Sequence, residues 1–165
     1  MNTTVTEKQT ASVITSKDLL EHWQGHRRLT RSVIEAFPEK EFFEYSVGGM
    51  RPFAAMVKEL LAIAAPGIRQ VVNGVAEELN EELDQVKSKT DILKLWDETT
   101  AEINRYWPQI PVERFSENIL AFGQYEGTVW STIFYFIDNE IHHRAQGYVF
   151  LRTLGIEPPY FWERS

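Results

Sequence analysis

The 165-residue sequence contains no cysteine, so disulfide bonds and thiolate metal ligands are excluded. Basic residues are few: 17 Lys and Arg against 24 Asp and Glu give a formal net charge of -7. This balance argues against nucleic acid as the main partner, because binding to phosphates depends on Lys and Arg. No apolar run is long enough to cross a bilayer. Residues 1–15 are polar, lack the features of a signal peptide and are expected to form a flexible leader. We therefore expect a cytoplasmic protein that binds neither nucleic acid nor membrane.

Aromatic residues are abundant, at 13% of the chain with five Trp. The hydrophobic share is 43%, and a chain of this length has room for one domain with a real core. We assign that domain to residues 16–165. So many rings in a small domain predict a ring-lined core or cavity.

Apolar residues recur at three- and four-residue steps in four long segments, which is the pattern of helices that bury one face. The segments are Ser16–Phe37, Pro52–Val75, Thr90–Trp107 and Thr128–Leu154. Ser16 and Thr90 are candidate N-caps, and Pro66-Gly67 is expected to kink or interrupt the second helix. Loops are expected at 39–51 and 109–127, an acidic solvated linker is expected at 76–89, and no segment has a convincing strand pattern. The predicted fold class is all-α, a four-helix bundle.

The last helix carries the residues best suited to chemistry, in Asp138–Gln146. Residues four apart share a helix face, so Asn139 and His143 point the same way, whereas His142 is rotated away by about 100 degrees. Histidine titrates nearest neutral pH and is the commonest metal ligand, so His143 is the best candidate for the centre of a site. Glu59 interrupts the apolar stripe of the second helix. A buried carboxylate is costly, so Glu59 must be exposed, paired or bound to a cation.

The last helix closely resembles the DinB family of metal-dependent enzymes. The resemblance rests on Asp138–Gln146, where members typically read Asp-His-Glu-Ile-His-His-Arg-Gly-Gln, and on the stretch Tyr148–Pro159 with its Leu-Arg and Gly-Ile-x-Pro-Pro pattern. Gly49–Phe53 also looks like the start of the family's second helix. The resemblance covers Ser16 to Phe161 and implies a four-helix bundle with up-down-down-up connectivity, often assembled as a homodimer.

Members of the family usually hold a divalent metal with three histidines, one on the second helix and two spaced by four on the last. These positions correspond here to Glu59, Asn139 and His143, so one histidine of three is retained. The resemblance thus implies a zinc, nickel or iron site with Glu59 and His143 as ligands and Asn139 as a weak third ligand or a water holder. His26 or His142 could supply a missing imidazole. Alternatively the site holds no metal, and Glu59 pairs directly with His143.

The family includes transferases and isomerases that use low-molecular-weight thiols. The resemblance therefore implies a metal-dependent transferase or hydrolase for a small-molecule substrate, with His143 and Glu59 as catalytic residues and Asn139 as an orienting group. Two alternatives stay open. One is a metal-free bundle that binds a small apolar ligand in an aromatic cavity, with Glu59 and His143 as polar anchors. The other is a dimerisation bundle without an active site, in which the aromatic tail at 160–162 contacts a partner instead of packing over the bundle.

Overall fold

The structure is a computed structural model that describes residues 13–165, so the leader expected at 1–15 lies almost entirely outside the described residues. The described residues form five α-helices and one two-stranded antiparallel sheet, with short 3-10 helices at 107–109 and 112–116. The helices are α1 (Ser16–Ala36), α2 (Glu39–Glu44), α3 (Phe53–Asn73), α4 (Lys89–Tyr106) and α5 (Val129–Thr153); the strands are β1 (Asn118–Ala121) and β2 (Tyr125–Thr128). The expected all-α class is confirmed, whereas the up-down-down-up order stays a prediction.

The four long helices pack around a common core in which α1 and α3 each contact both α4 and α5. One hydrophobic cluster contains Trp23, Ile68 and Phe136, and a second contains Phe53 and Phe150. α5 contributes to both clusters, as its nearly all-round apolar pattern suggests. Among residues 13–165, no helix combines the length and the apolar character that crossing a membrane would require.

Two helix starts differ from the predicted caps by one or two residues. Thr15, rather than Ser16, caps α1: its Oγ1 accepts a hydrogen bond from the Asp18 N–H at 3.1 Å, and its own N–H donates to the Asp18 carboxylate at 2.9 Å. Ser88, rather than Thr90, caps α4. In both cases the capping hydroxyl lies three residues before an aspartate whose N–H it accepts, and at α1 the aspartate completes a reciprocal capping box that stabilises the helix N-terminus.

α3 continues through Pro66, so the interruption that the sequence allowed at Pro66-Gly67 does not occur. A proline inside a helix costs about 3 kcal/mol, but most of α3 is buried, and this packing outweighs the local cost. Gly67 has a packing role, because a Cβ at this position would lie 2.3 Å from the ring of Phe136 on α5. Glycine at this position lets α3 and α5 approach closely.

Two further elements were not predicted from the sequence. α2 lies in the segment expected to be a loop at 39–51, and the β1–β2 hairpin lies in the loop expected at 109–127. In the hairpin, Asn118 pairs with Thr128 and Ala121 with Tyr125. Elements of four to six residues are too short to establish a hydrophobic period, which explains why the pattern missed them.

Candidate functional site

Glu59 lies where α3 meets α5, and it brings together the three residues that the sequence singled out. Its Oε1 accepts a hydrogen bond from Asn139 Nδ2 at 2.8 Å and lies 3.2 Å from His143 Nε2. Its Oε2 accepts a hydrogen bond from Arg51 Nη2 at 2.5 Å. Arg51, in the segment before α3, was not among the predicted site residues.

The partners of Glu59 keep it ionised. Burial by itself would raise the pKa of this carboxyl group, but hydrogen bonds from Asn139, Arg51 and His143 outweigh burial and hold the pKa below its ordinary value. Glu59 is therefore a carboxylate at neutral pH, with both oxygens oriented by neighbouring side chains. Its side chain is 13% exposed, so it is accessible from one side.

His143 is held between two oxygen atoms, those of Glu59 and Gln146. Its Nδ1 lies 2.9 Å from Gln146 Oε1, and its Nε2 faces Glu59. An imidazolium ring donates to both oxygens; a neutral ring fits when the Gln146 amide is turned so that its NH2 group donates to Nδ1. In both arrangements Nε2 carries a proton and donates to Glu59. In these two states Nε2 has no lone pair for a metal, whereas the other neutral tautomer, with Nδ1–H donating to Gln146 Oε1, would place the Nε2 lone pair against the Glu59 carboxylate.

The donor set around Glu59 does not fit the divalent metal that the family resemblance implies. Zinc sites use three or four His, Cys or carboxylate ligands, whereas the set here is one carboxylate, one imidazole and one amide. Asn139 and Arg51 both direct N–H groups at the carboxylate, and Arg51 adds a positive charge where a cation would bind. Within the described residues, no group of three or more His, Cys, Asp and Glu side chains is placed to hold a metal ion.

The two histidines that could have supplied a missing ligand lie elsewhere. His142 is exposed, as its rotation around α5 predicts. His26 is buried on α1, where Nδ1 accepts from Arg144 at 3.0 Å and Nε2 contacts Arg164 at 3.1 Å. Burial, reinforced by the charges of Arg144 and its neighbours, lowers the pKa of His26 to about 3. Neither ring is a hydrogen-bond partner of Glu59, so neither completes the site.

A cleft with a volume of about 270 Å³ opens beside Glu59. Glu59 lines it, whereas Asn139 and His143 lie behind Glu59 and do not. The walls come from α3, α5, the hairpin and the irregular segment at 74–88. The expected ring-lined cavity is therefore present, but its rings belong to Phe and Tyr, and no Trp of the described residues contributes.

Phe122 contributes one of these rings from a strained backbone. Its φ is 53°, in the left-handed region that residues other than glycine rarely adopt. Gln70 of α3 stabilises this conformation: its Oε1 accepts the Phe122 N–H at 2.9 Å, and its Nε2 donates to the Leu120 carbonyl at 2.9 Å. Sequence reasoning missed both residues. The available signal was an amide side chain in the apolar stripe of the second helix, now seen to be 8% exposed.

Glu140 lies on α5 one turn before His143 but belongs to a separate buried network. It accepts hydrogen bonds from Trp23 Nε1 at 3.1 Å and from Thr30 Oγ1 at 2.6 Å, and Arg27 Nη1 lies 3.9 Å away. All three partners are on α1. The network fixes α1 against α5, and none of these four residues lines the cleft.

The family model described as "DinB family" matches residues 1–164 of the chain. A solved DinB-like protein from Bacillus subtilis is similar in structure, with a TM-score of 0.67 and 18% identity over 88% of this chain and 99% of that one. A DinB-like protein from Bacillus cereus has a TM-score of 0.67 and 14% identity over 88% of this chain and 97% of its own. At these identities the structural likeness shows the fold alone. Among curated proteins, no sequence matches the chain.

Proposed function

The chain belongs to the DinB family, and from this premise we propose that it binds a small molecule in the cleft beside Glu59 without using a metal. The observation that carries the proposal is the state of Glu59, a carboxylate oriented by Arg51, Asn139 and His143 that faces a ring-lined cleft. Binding sites of this kind combine apolar walls with a few fixed polar groups.

The side chains at the cleft have different roles in binding the ligand. Arg51, Asn139 and His143 occupy three of the roughly four lone-pair positions of the Glu59 carboxylate and prevent it from rotating. The remaining position faces the cleft and accepts a hydrogen bond from a donor group of the ligand. The rings of Phe122 and Phe136 pack against the apolar part of the ligand and exclude water. In this arrangement Glu59 is the binding group and His143 is a positioning residue.

The proposal is tested by thermal-shift screening of small aromatic fragments in the presence of excess chelator. We expect fragments to raise the melting temperature of the wild-type protein and to lose this effect in Ser131→Trp, which fills the cleft with an indole. Ser32→Trp is the matched control. Both serines are exposed helical residues whose hydroxyl groups donate to a preceding backbone carbonyl, but only Ser131 lines the cleft. Shifts that vanish in chelator, or that Ser131→Trp leaves intact, would contradict the proposal.

The metal-dependent transferase or hydrolase that uses a low-molecular-weight thiol is the competing proposal, and metal content separates the two. We expect wild-type protein purified without chelator to retain far less than one equivalent of zinc, nickel or iron. The variant Glu59→His with Asn139→His recreates the three-histidine set beside His143, and we expect it to gain metal. One equivalent in the wild type that is lost in His143→Ala, together with thiol-transfer activity, would establish the metal enzyme instead.

A further inference from the structure

The side chains around the cleft are charged with one sign only. Glu59, Glu81 and Glu126 line it, and no Lys, Arg or His side chain of the described residues does. We infer that the ligand is a cation, namely an amine attached to an aromatic or aliphatic body. This inference rests on the proposed function, because it concerns the same cleft.

The negative charge of the cleft is not neutralised by its surroundings. Arg51 pairs with Glu59 from outside the cleft, which leaves Glu81 and Glu126. Neither of these two carboxylates has an ion-pair or hydrogen-bond partner among residues 13–165, and both are exposed at the rim. A ligand ammonium group is the partner that these carboxylates lack.

The carboxylates also act on Tyr135, whose ring lies on the cleft wall. Burial raises the pKa of the Tyr135 hydroxyl, and the charges of Glu59 and Glu81 raise it further. The fields of carboxylates from α3 and from the segment at 74–88 therefore converge on one region. An ammonium group there would be stabilised by both.

The rings suit the rest of such a ligand. Tyr125 and Tyr135 are each 58% exposed and flank the opening, while Phe122 and Phe136 are buried and form its floor. Tyrosine faces attract ammonium groups, and an apolar body fits against the buried rings. The cleft volume of about 270 Å³ lies just below the usual range of ligand pockets, roughly 300–1,000 Å³. The ligand is accordingly a small amine and not a bare metal ion, which would leave most of this volume unfilled.

The experiment compares three ligands of nearly equal shape by calorimetric titration of the full chain at neutral pH with chelator present. Phenethylamine is cationic, phenethyl alcohol is neutral and phenylacetate is anionic. We expect phenethylamine to bind about tenfold tighter than phenethyl alcohol, and phenylacetate to bind weakest, since each exposed carboxylate contributes a modest attraction. The preference for the amine should shrink as salt is added.

The rim carboxylates are tested one at a time. Glu81→Gln and Glu126→Gln should each lower the ratio of amine to alcohol affinity by about twofold to fivefold and leave the alcohol affinity unchanged. Glu157→Gln is the control, because Glu157 is also exposed and has no ion-pair or hydrogen-bond partner within the described part of the chain, but lies outside the cleft.

The outcomes separate this inference from the function on which it rests. The cation selectivity would be overturned if the amine and the alcohol bound with equal affinity and Ser131→Trp abolished the binding of both. That result would leave the small-molecule cleft in place. A ratio that responds to Glu157→Gln as strongly as to the rim variants would also overturn it. Failure of all three ligands to bind, together with no fragment binding that Ser131→Trp abolishes, would remove the proposed function as well.

Discussion

Replacing Gly67 with alanine is expected to push the ring of Phe136 into the cleft and weaken ligand binding. A Cβ at this position would lie 2.3 Å from Cζ and 2.5 Å from Cε2 of the ring, whereas ordinary contacts begin at 3.4 Å. The ring must therefore move by roughly an ångström. The ring also lines the cleft, so a shift toward the cleft takes up part of the volume that a ligand would fill.

The energetic balance of Gly67→Ala has two opposing parts. Alanine is better than glycine in a helix interior by about 1 kcal/mol. Overpacking a core costs about 1–3 kcal/mol. We therefore expect a net loss of about 0–2 kcal/mol in the free energy of unfolding, measured by urea titration, with a severalfold loss of affinity for phenethylamine.

Gly147→Ala is the matched control. A Cβ there would lie 2.7 Å from the ring of Phe53, which belongs to the second core cluster and does not line the cleft. It should destabilise the protein to a similar degree and leave ligand affinity unchanged. A Gly67→Ala protein that is about 1 kcal/mol more stable than the wild type, with unchanged affinity, would refute the reasoning. Equal loss of affinity in both variants would assign the effect to general destabilisation.

Three further predictions concern the rest of the molecule. Glu140→Ala removes the buried carboxylate beside Arg27 and leaves its guanidinium with neutral hydrogen-bond acceptors alone, which should cost about 3–5 kcal/mol in urea unfolding; a loss under 1 kcal/mol would show that the network is dispensable. His26 has a pKa of about 3 in the folded protein against an ordinary 6.5, so the unfolded chain binds a proton between these pH values and the folded protein does not. The free energy of unfolding is therefore unaffected above pH 6.5 and falls as the pH drops from 6.5 toward 3. The wild type should therefore lose up to about 1.4 kcal/mol per pH unit relative to His26→Asn in that window, and equal slopes would contradict this. The homodimer that the family resemblance implies should have twice the chain mass of 19.2 kDa in light scattering, and a monomer at high concentration would contradict it.

The long helices could be predicted because each repeats its apolar pattern over several turns and ends at a clear signal. Gly155 illustrates this, since it follows α5 in the left-handed conformation, with a φ of 75°. α2 and the hairpin could not be predicted, because four to six residues carry no usable period. The position of the aromatic tail at 160–162 could not be predicted, because three consecutive aromatic residues do not indicate which surface they contact. In the structure all three rings are exposed.

The candidate site was predictable where helical geometry determined it. Asn139 and His143 share a face of α5, and the family resemblance pointed to Glu59 on α3; these three side chains meet. Which of the three side chains lines the cleft was not predictable. The sequence favoured His143 as the centre of the site, whereas Glu59 lines the cleft and His143 does not. The catalytic roles assigned to His143 and Glu59 stay predictions.

The remaining parts of the cleft come from segments without a period. Glu81 belongs to the acidic segment that the sequence presented as a solvated linker, and Glu126 belongs to the unpredicted hairpin. Arg51 reaches Glu59 from eight residues away across the start of α3. Such contacts depend on tertiary packing, which no local pattern encodes.

The two kinds of wall around the cleft have a consequence for how this protein can diverge from its relatives. The helical wall contains Ile63 and Phe136, which belong to a core cluster, so substitutions there lower the free energy of unfolding. The other wall is formed by the hairpin and the segment at 74–88, which connect helices; apart from residues that reach the core, such as Ala121 and Phe122, connecting segments of this kind tolerate substitution and insertion. Duplicated copies of the gene could acquire new ligand preferences through these connectors alone, and a directed-evolution library confined to them would sample new specificities while most of its members still fold.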